Sequence, residues 1–170
     1  EDISGLIGWY AHGNEPSHHV AYLYAHAGQP WRTQARLKQI MDTQYKPTPD
    51  GLAGNDDLGQ MSAWFVFTSL GFYPVAPGSN EYILGRPFLR KATLNLPNGK
   101  RFSVIADDPD DAHPYVGSVL LNGRPLDRAF ITHQELMAGG ELRFTMQAMP
   151  NREWPGAGAK APYSMSAATK

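Results

Sequence analysis

Two short polar clusters hold most of the chemistry available to this chain: Gly13-Asn14-Glu15-Pro16-Ser17-His18-His19 and Gly54-Asn55-Asp56-Asp57-Leu58-Gly59-Gln60-Met61. An ionised carboxylate serves as a general base, or as a hard oxygen ligand for calcium or magnesium. Both clusters stand at the start of a predicted helix, where unpaired N–H groups and partial positive charge favour ionised carboxylates. The same residue types also cap helices. Asp57 with Gln60 three residues on is close to a capping box, and Asn14 or Glu15 suits the start of the preceding helix. Capping needs one residue per helix, whereas Asn14, Glu15, His18, His19, Asn55, Asp56 and Asp57 would crowd one rim if the two helix starts open on the same side. With carboxylate and amide oxygens and no thiolate, that set suits calcium better than zinc. His18 and His19 are adjacent and point about 100° apart on a helix. At most one of them faces a common site, and the other packs or faces outward.

Other patterns lead nowhere. Asp107-Asp108-Pro109-Asp110-Asp111 reads as a solvated loop between strands. Asn55-x-Asp57-x-Gly59 lacks the closing Glu of an EF-hand loop. There is no phosphate-cradling glycine loop and no GxSxG elbow. Trp9, Trp31, Trp64 and Tyr10 are able to stack on sugars, but most are expected in the core.

The elements that must position the clusters change period halfway along the chain. Val20, Leu23, Tyr24 and Ala27 predict a first helix over 16–28, with Pro16 at its first turn and Gly28 as its stop. A second helix is predicted over 31–45, closed by Pro47 and Pro49. The third, over 58–70, is apolar almost all round and requires partners on every side. After Gly71 the pattern alternates, predicting strands near 81–84, 92–96, 101–106, 116–121, 129–132 and 141–147, with turns at 97–99, 122–123 and 139–140. The reading is therefore mixed α and β: helices over 1–73, an antiparallel β-sandwich-like region over 74–155 and an irregular tail over 156–170.

Fifteen basic and sixteen acidic residues give a net charge of −1, without the basic patch of a nucleic-acid binder. No apolar run approaches the roughly 20 residues of a membrane span. The absence of cysteine excludes disulfides, thiolate metal sites and cysteine nucleophiles. With no initiator Met and no signal peptide at its start, the chain is expected to be a piece of a longer enzyme.

Three segments resemble the C-terminal catalytic region of glycoside hydrolase family 92. They are Gly13-Asn14-Glu15-Pro16-Ser17-His18-His19-Val20-Ala21-Tyr22-Leu23-Tyr24 with Ala27-Gly28-Gln29-Pro30-Trp31; Gly54-Asn55-Asp56-Asp57-x-Gly59-Gln60-Met61-Ser62-Ala63-Trp64; and Leu70-Gly71-Phe72-Tyr73-Pro74-Val75. The resemblance implies the last helices of an (α/α)6 toroid followed by strands, from a calcium-dependent, inverting exo-α-mannosidase. Carried over by motif, Asp57 matches the catalytic base, supported by Asp56 or Asn55, where many members carry Asp in place of Asn55. Asn14 and Glu15 match the calcium and mannose site, and His18 or His19 reaches the sugar. The implied metal ligands are Asn14, Glu15, Asn55 and Asp57; the implied general acid is a Glu upstream of these residues. The resemblance further implies terminal α-mannosides of glycans as substrate, the rest of the same polypeptide as partner, and a secreted or periplasmic location. A calcium-dependent carbohydrate-binding module without turnover is the alternative, and a structural segment whose polar residues only cap helices is the third reading.

Overall fold

The computed structural model describes residues 4–165. Residues 1–3 of the predicted helical part and 166–170 of the predicted tail lie outside the described residues. The chain opens with a two-stranded hairpin, β1 (Leu6–Ile7) and β2 (Tyr10–Ala11), whose tip carries a fully exposed Trp9. The first predicted helix is not continuous. It breaks into 3-10 turns at Glu15–Ser17 and Val20–Tyr22 and a short helix α1 (Leu23–His26). The long helices α2 (Pro30–Gln44) and α3 (Gln60–Leu70) follow, close to their predicted spans.

β3 (Phe72–Tyr73), β4 (Glu81–Leu84) and β9 (Phe130–Thr132) form a three-stranded antiparallel sheet. A second sheet holds β5 (Lys91–Asn95), β6 (Arg101–Asp107), β7 (Tyr115–Leu121), β8 (Arg124–Pro125) and β10 (Gly140–Gln147), in the order β5-β6-β10-β7-β8. It is not purely antiparallel, as the alternation predicted, because β10 enters between β6 and β7 and runs parallel to β6. Alternation sets which face is buried but carries no strand direction; Phe102, Val104 and Ala106 of β6 and Leu142, Phe144 and Met146 of β10 share the buried face in either sense. A short helix, α4 (His133–Met137), opens on a Thr132–Glu135 capping box between β9 and β10.

One hydrophobic core joins both parts. Tyr22, Leu37 and Trp64 from the helices pack in the same cluster as Phe72, Phe102, Phe130 and Phe144 from the sheets. Burying a side chain of this size contributes about 1.5–3 kcal/mol. Gln34 of α2 also accepts the Val116 N–H of β7 at 3.0 Å, tying helix to sheet through a buried polar bond. α3 is buried on one side only: Met61, Trp64, Thr68 and Leu70 face the core, while Phe65 and Val66 are 40% and 55% exposed. The helix that reads as apolar all round thus has one face without a partner among the described residues. The acidic run pairs at the surface, with Asp107 on Arg143, Asp108 on Arg90, Asp110 on His113, and Asp111 on Lys38 of α2.

Candidate active site

The two polar clusters meet because two glycines bring their backbones into contact. A methyl group on Gly54 would stand 3.2 Å from the Gly13 Cα and 2.9 Å from Ser4 Oγ; one on Gly13 would stand 2.9 Å from the Ala53 carbonyl oxygen. The backbone contact at Gly13 leaves no room for a side chain, and the one at Gly54 is tighter than ordinary packing. The residues that follow, Asn14-Glu15 and Asn55-Asp56-Asp57, therefore leave the same point of closest approach.

Neither cluster behaves as a set of caps. The Asn14 side chain makes no capping bond to the Glu15–Ser17 turn, and the residue preceding α3 is Gly59, not Asp57. The near capping box of Asp57 and Gln60 does not form. Asp57 instead gives its backbone carbonyl to the Gln60 N–H, and the nearby Asp56 carboxylate accepts the Ser62 N–H at 2.9 Å. Asp56 is thus the side chain that serves the helix start, which frees Asp57. The cause is the backbone: Asp57, Leu58 and Gly59 are all left-handed, at φ of 48°, 59° and 92°. Asp tolerates that region well and glycine freely, but Leu does not. Leu58 is also fully exposed, so it recovers nothing by packing among the described residues. Leu58→Gly should raise the stability of this chain by about 1 kcal/mol in urea or thermal unfolding; a loss of stability would show that the Leu58 side chain packs on something.

Freed from the helix, the Asp57 carboxyl lies within hydrogen-bonding reach of that of Glu15. The hydrogen bond raises the pKa of Asp57 and lowers that of Glu15, and the neighbouring charges of Glu15 and Asp56 push Asp57 further up. Asp57 is exposed and Glu15 is half-buried. Asn14 and Asn55 are exposed beside them in sequence.

The two histidines part company although they lie in the turn between the two 3-10 segments rather than in a helix. His19 is exposed, whereas His18 is 1% exposed. His18 Nε2 lies 2.9 Å from the His12 carbonyl oxygen, which only accepts, so Nε2 carries the proton. Nδ1 therefore accepts from the Gln60 side-chain amide at 3.1 Å. Burial lowers the His18 pKa and keeps the ring neutral. Its backbone carbonyl takes the Trp64 indole N–H at 3.0 Å. Beneath it, His12 is wholly buried between the Tyr10 hydroxyl at 2.8 Å and the Tyr45 hydroxyl at 2.6 Å, and desolvation drives its pKa down to about 3. The Tyr45 hydroxyl donates to the Met61 carbonyl at 3.2 Å.

An open cavity of about 750 Å³ adjoins the carboxyl pair, lined by Glu15, His18, His19, Gln60, Tyr73 and the prolines around Val75. A slightly larger one, about 810 Å³, lies under residues 152–162, away from both clusters. Glu15 and the two His positions thus line one cavity, with His18 as a buried support, and Asp57 stands beside it next to Glu15. His12 and Tyr45 are parts of the site that motif reading did not single out, while Gln60 entered it only as a capping partner and Tyr73 only within a motif. Gln60 had one legible signal: it stands three residues after Asp57, as His18 stands three after Glu15.

Among the described residues no group of three or more His, Cys, Asp or Glu side chains is arranged to hold a metal ion. The Glu15–Asp57 pair with the amides of Asn14 and Asn55 is a different kind of donor set, all hard oxygen. Oxygen donors of these types are the kind that calcium prefers, whereas zinc favours nitrogen and sulfur.

Residues 1–148 match the glycosyl hydrolase family 92 catalytic domain. The chain is similar in structure to a family GH92 α-mannosidase from Bacteroides thetaiotaomicron solved with mannoimidazole, at 44% identity and a TM-score of 0.93 over 97% of this chain and 22% of that one. An inverting GH92 mannosidase from B. thetaiotaomicron VPI-5482 is 48% identical, with a TM-score of 0.86 over 92% of this chain and 21% of that one. An uncharacterized secreted glycosidase of Arthroderma benhamiae is 33% identical over 137 residues, 79% of this chain and 18% of the relative. The chain therefore spans about a fifth of the length of these relatives.

Proposed function

Since the chain belongs to glycosyl hydrolase family 92 and forms part of its catalytic region, we propose that it supplies the base side of an exo-α-mannosidase active site. The carrying observation is the Glu15–Asp57 pair, two carboxyls that no helix cap employs, within hydrogen-bonding reach of each other where Glu15 lines an open cavity. The mannosidase names of the solved relatives support the choice of sugar.

In this reading Asp57 is the general base, with Asp56 supporting it by holding the turn that presents it. Asp57 takes a proton from a water that attacks the anomeric carbon on the face opposite the leaving oxygen. The partner acid, a Glu supplied by the remainder of the polypeptide, protonates that oxygen from roughly 6.5–9.5 Å away, and the anomeric configuration inverts. Ionising Asp57 next to ionised Glu15 sets two like charges within hydrogen-bond reach, which requires a compensating positive charge. Calcium held by oxygens of Asn14, Glu15, Asn55 and Asp57 would supply that charge and a grip on sugar hydroxyls. His19, exposed at the cavity, is free to reach the sugar, whereas both His18 nitrogens are engaged within the protein. The secreted glycosidase among the relatives supports a secreted or periplasmic location. No described helix is long and apolar enough to cross a membrane.

The test is product stereochemistry. The protein carrying the whole catalytic domain, mixed with an aryl α-mannoside in deuterated buffer, should release β-mannose first, as seen by proton NMR. Release of α-mannose as the first product would exclude the single displacement. Binding of mannosides without turnover would favour the carbohydrate-binding alternative.

A further inference from the structure

We infer that Gln60 is a positioning residue for the Glu15–Asp57 pair, acting through His18; the inference rests on the glycosidase reading above. Gln60 occupies the first turn of α3 and its side-chain amide donates both hydrogens, one to His18 Nδ1 and one to the Tyr73 hydroxyl, each at 3.1 Å. His18 is closed from the other side by the His12 carbonyl. His12 itself is fixed between two tyrosines, so the strut ends on a rigid, buried support.

The two residues that the strut joins hold equivalent places. His18 closes the turn that carries Glu15, through its N–H to the Glu15 carbonyl at 2.9 Å. Gln60 closes the turn that carries Asp57, through its N–H to the Asp57 carbonyl at 3.2 Å. Linking His18 to Gln60 therefore links the two carboxyl-bearing turns. That link ties the loop carrying Glu15 to the loop carrying Asp57 through an uncharged amide–imidazole contact, beside the close approach of Gly13 and Gly54. Tyr73, which accepts from Gln60, retains its own proton and lines the same cavity, so Gln60 also orients a hydroxyl donor there.

Gln60→Glu keeps the shape of the side chain and removes both N–H donors, leaving an oxygen opposite the His18 lone pair. In the protein with the whole catalytic domain, kcat on an aryl α-mannoside should fall about 10–100-fold, as for other residues that orient a site from behind. KM and thermal midpoint should change little. A space-filling role predicts wild-type kcat in Gln60→Glu, and that result would overturn the inference. If that variant does not fold, Gln60→Met, of similar length and apolar, should show the same loss, and wild-type kcat there overturns it equally. A wild-type protein that does not hydrolyse mannosides would count against the glycosidase reading instead. The strut is then judged from a crystal structure of Gln60→Met: His18 rotated off the His12 carbonyl supports it, and an unmoved Glu15–Asp57 pair overturns it.

Discussion

Asp57→Asn should leave the protein folded and lower kcat on an α-mannoside by at least about a hundredfold, because general-base catalysis contributes ~10²–10⁴-fold. The variant isolates the proton acceptor. Asn tolerates the left-handed backbone at φ 48° as well as Asp does, so the turn into α3 is preserved. Its amide is able to donate to the Glu15 carboxylate, which keeps the two side chains in contact. Helix capping is untouched, since the carboxylate that accepts the Ser62 N–H belongs to Asp56. The thermal midpoint should thus stay within about 2–4 °C, the shift produced by 1 kcal/mol in a domain of this size. Steady-state kinetics and thermal unfolding on the same preparation separate the possibilities. Near-normal kcat in a folded Asp57→Asn would remove Asp57 from the base role. A loss of kcat partly recovered by saturating calcium would identify the carboxylate as a ligand as well.

Chelation has a comparably large expected effect. Exhaustive EDTA treatment should abolish hydrolysis by the protein with the whole catalytic domain, and calcium should restore it better than zinc. The reason is the donor set: two carboxyls and two amides offer only hard oxygen, and the His18 imidazole has no free nitrogen. Glu15→Gln should weaken calcium binding measured by calorimetry, because one anionic ligand is lost. Full activity after chelation would dismiss the calcium role. Rescue by zinc alone would redirect attention to the exposed His19.

The two expectations rest on different levels of the molecule. That Asp57 and Glu15 belong together is legible in sequence only through the likeness of their motifs to the family; 42 residues separate them, and neither spacing nor periodicity connects positions so far apart. Their meeting depends on Gly13 and Gly54 touching backbone to backbone, and the sequence shows two glycines without showing that they face each other. The duty of each side chain was equally hidden. Asp56 and Asp57 are neighbours of one chemical type, and capping preference favours both. Three consecutive left-handed residues rotate one toward the helix and the other toward Glu15, and left-handed conformation at a Leu is not something composition announces.

Local physics fixed what depends on near neighbours. The 3.6 period gave α2 and α3, and the period of two gave most strands of the larger sheet, because an element's buried face repeats along its own few residues. Pro16, by contrast, marked a helix start that proved to be a single 3-10 turn, since proline fixes one φ and does not extend a helix beyond it. What only tertiary structure decided is pairing at a distance: the parallel entry of β10 beside β6, the His18–Gln60–Tyr73 contacts and the approach of Glu15 to Asp57. Each joins segments tens of residues apart, and the energies that select such contacts come from burying the whole core at once, which no local window of sequence contains.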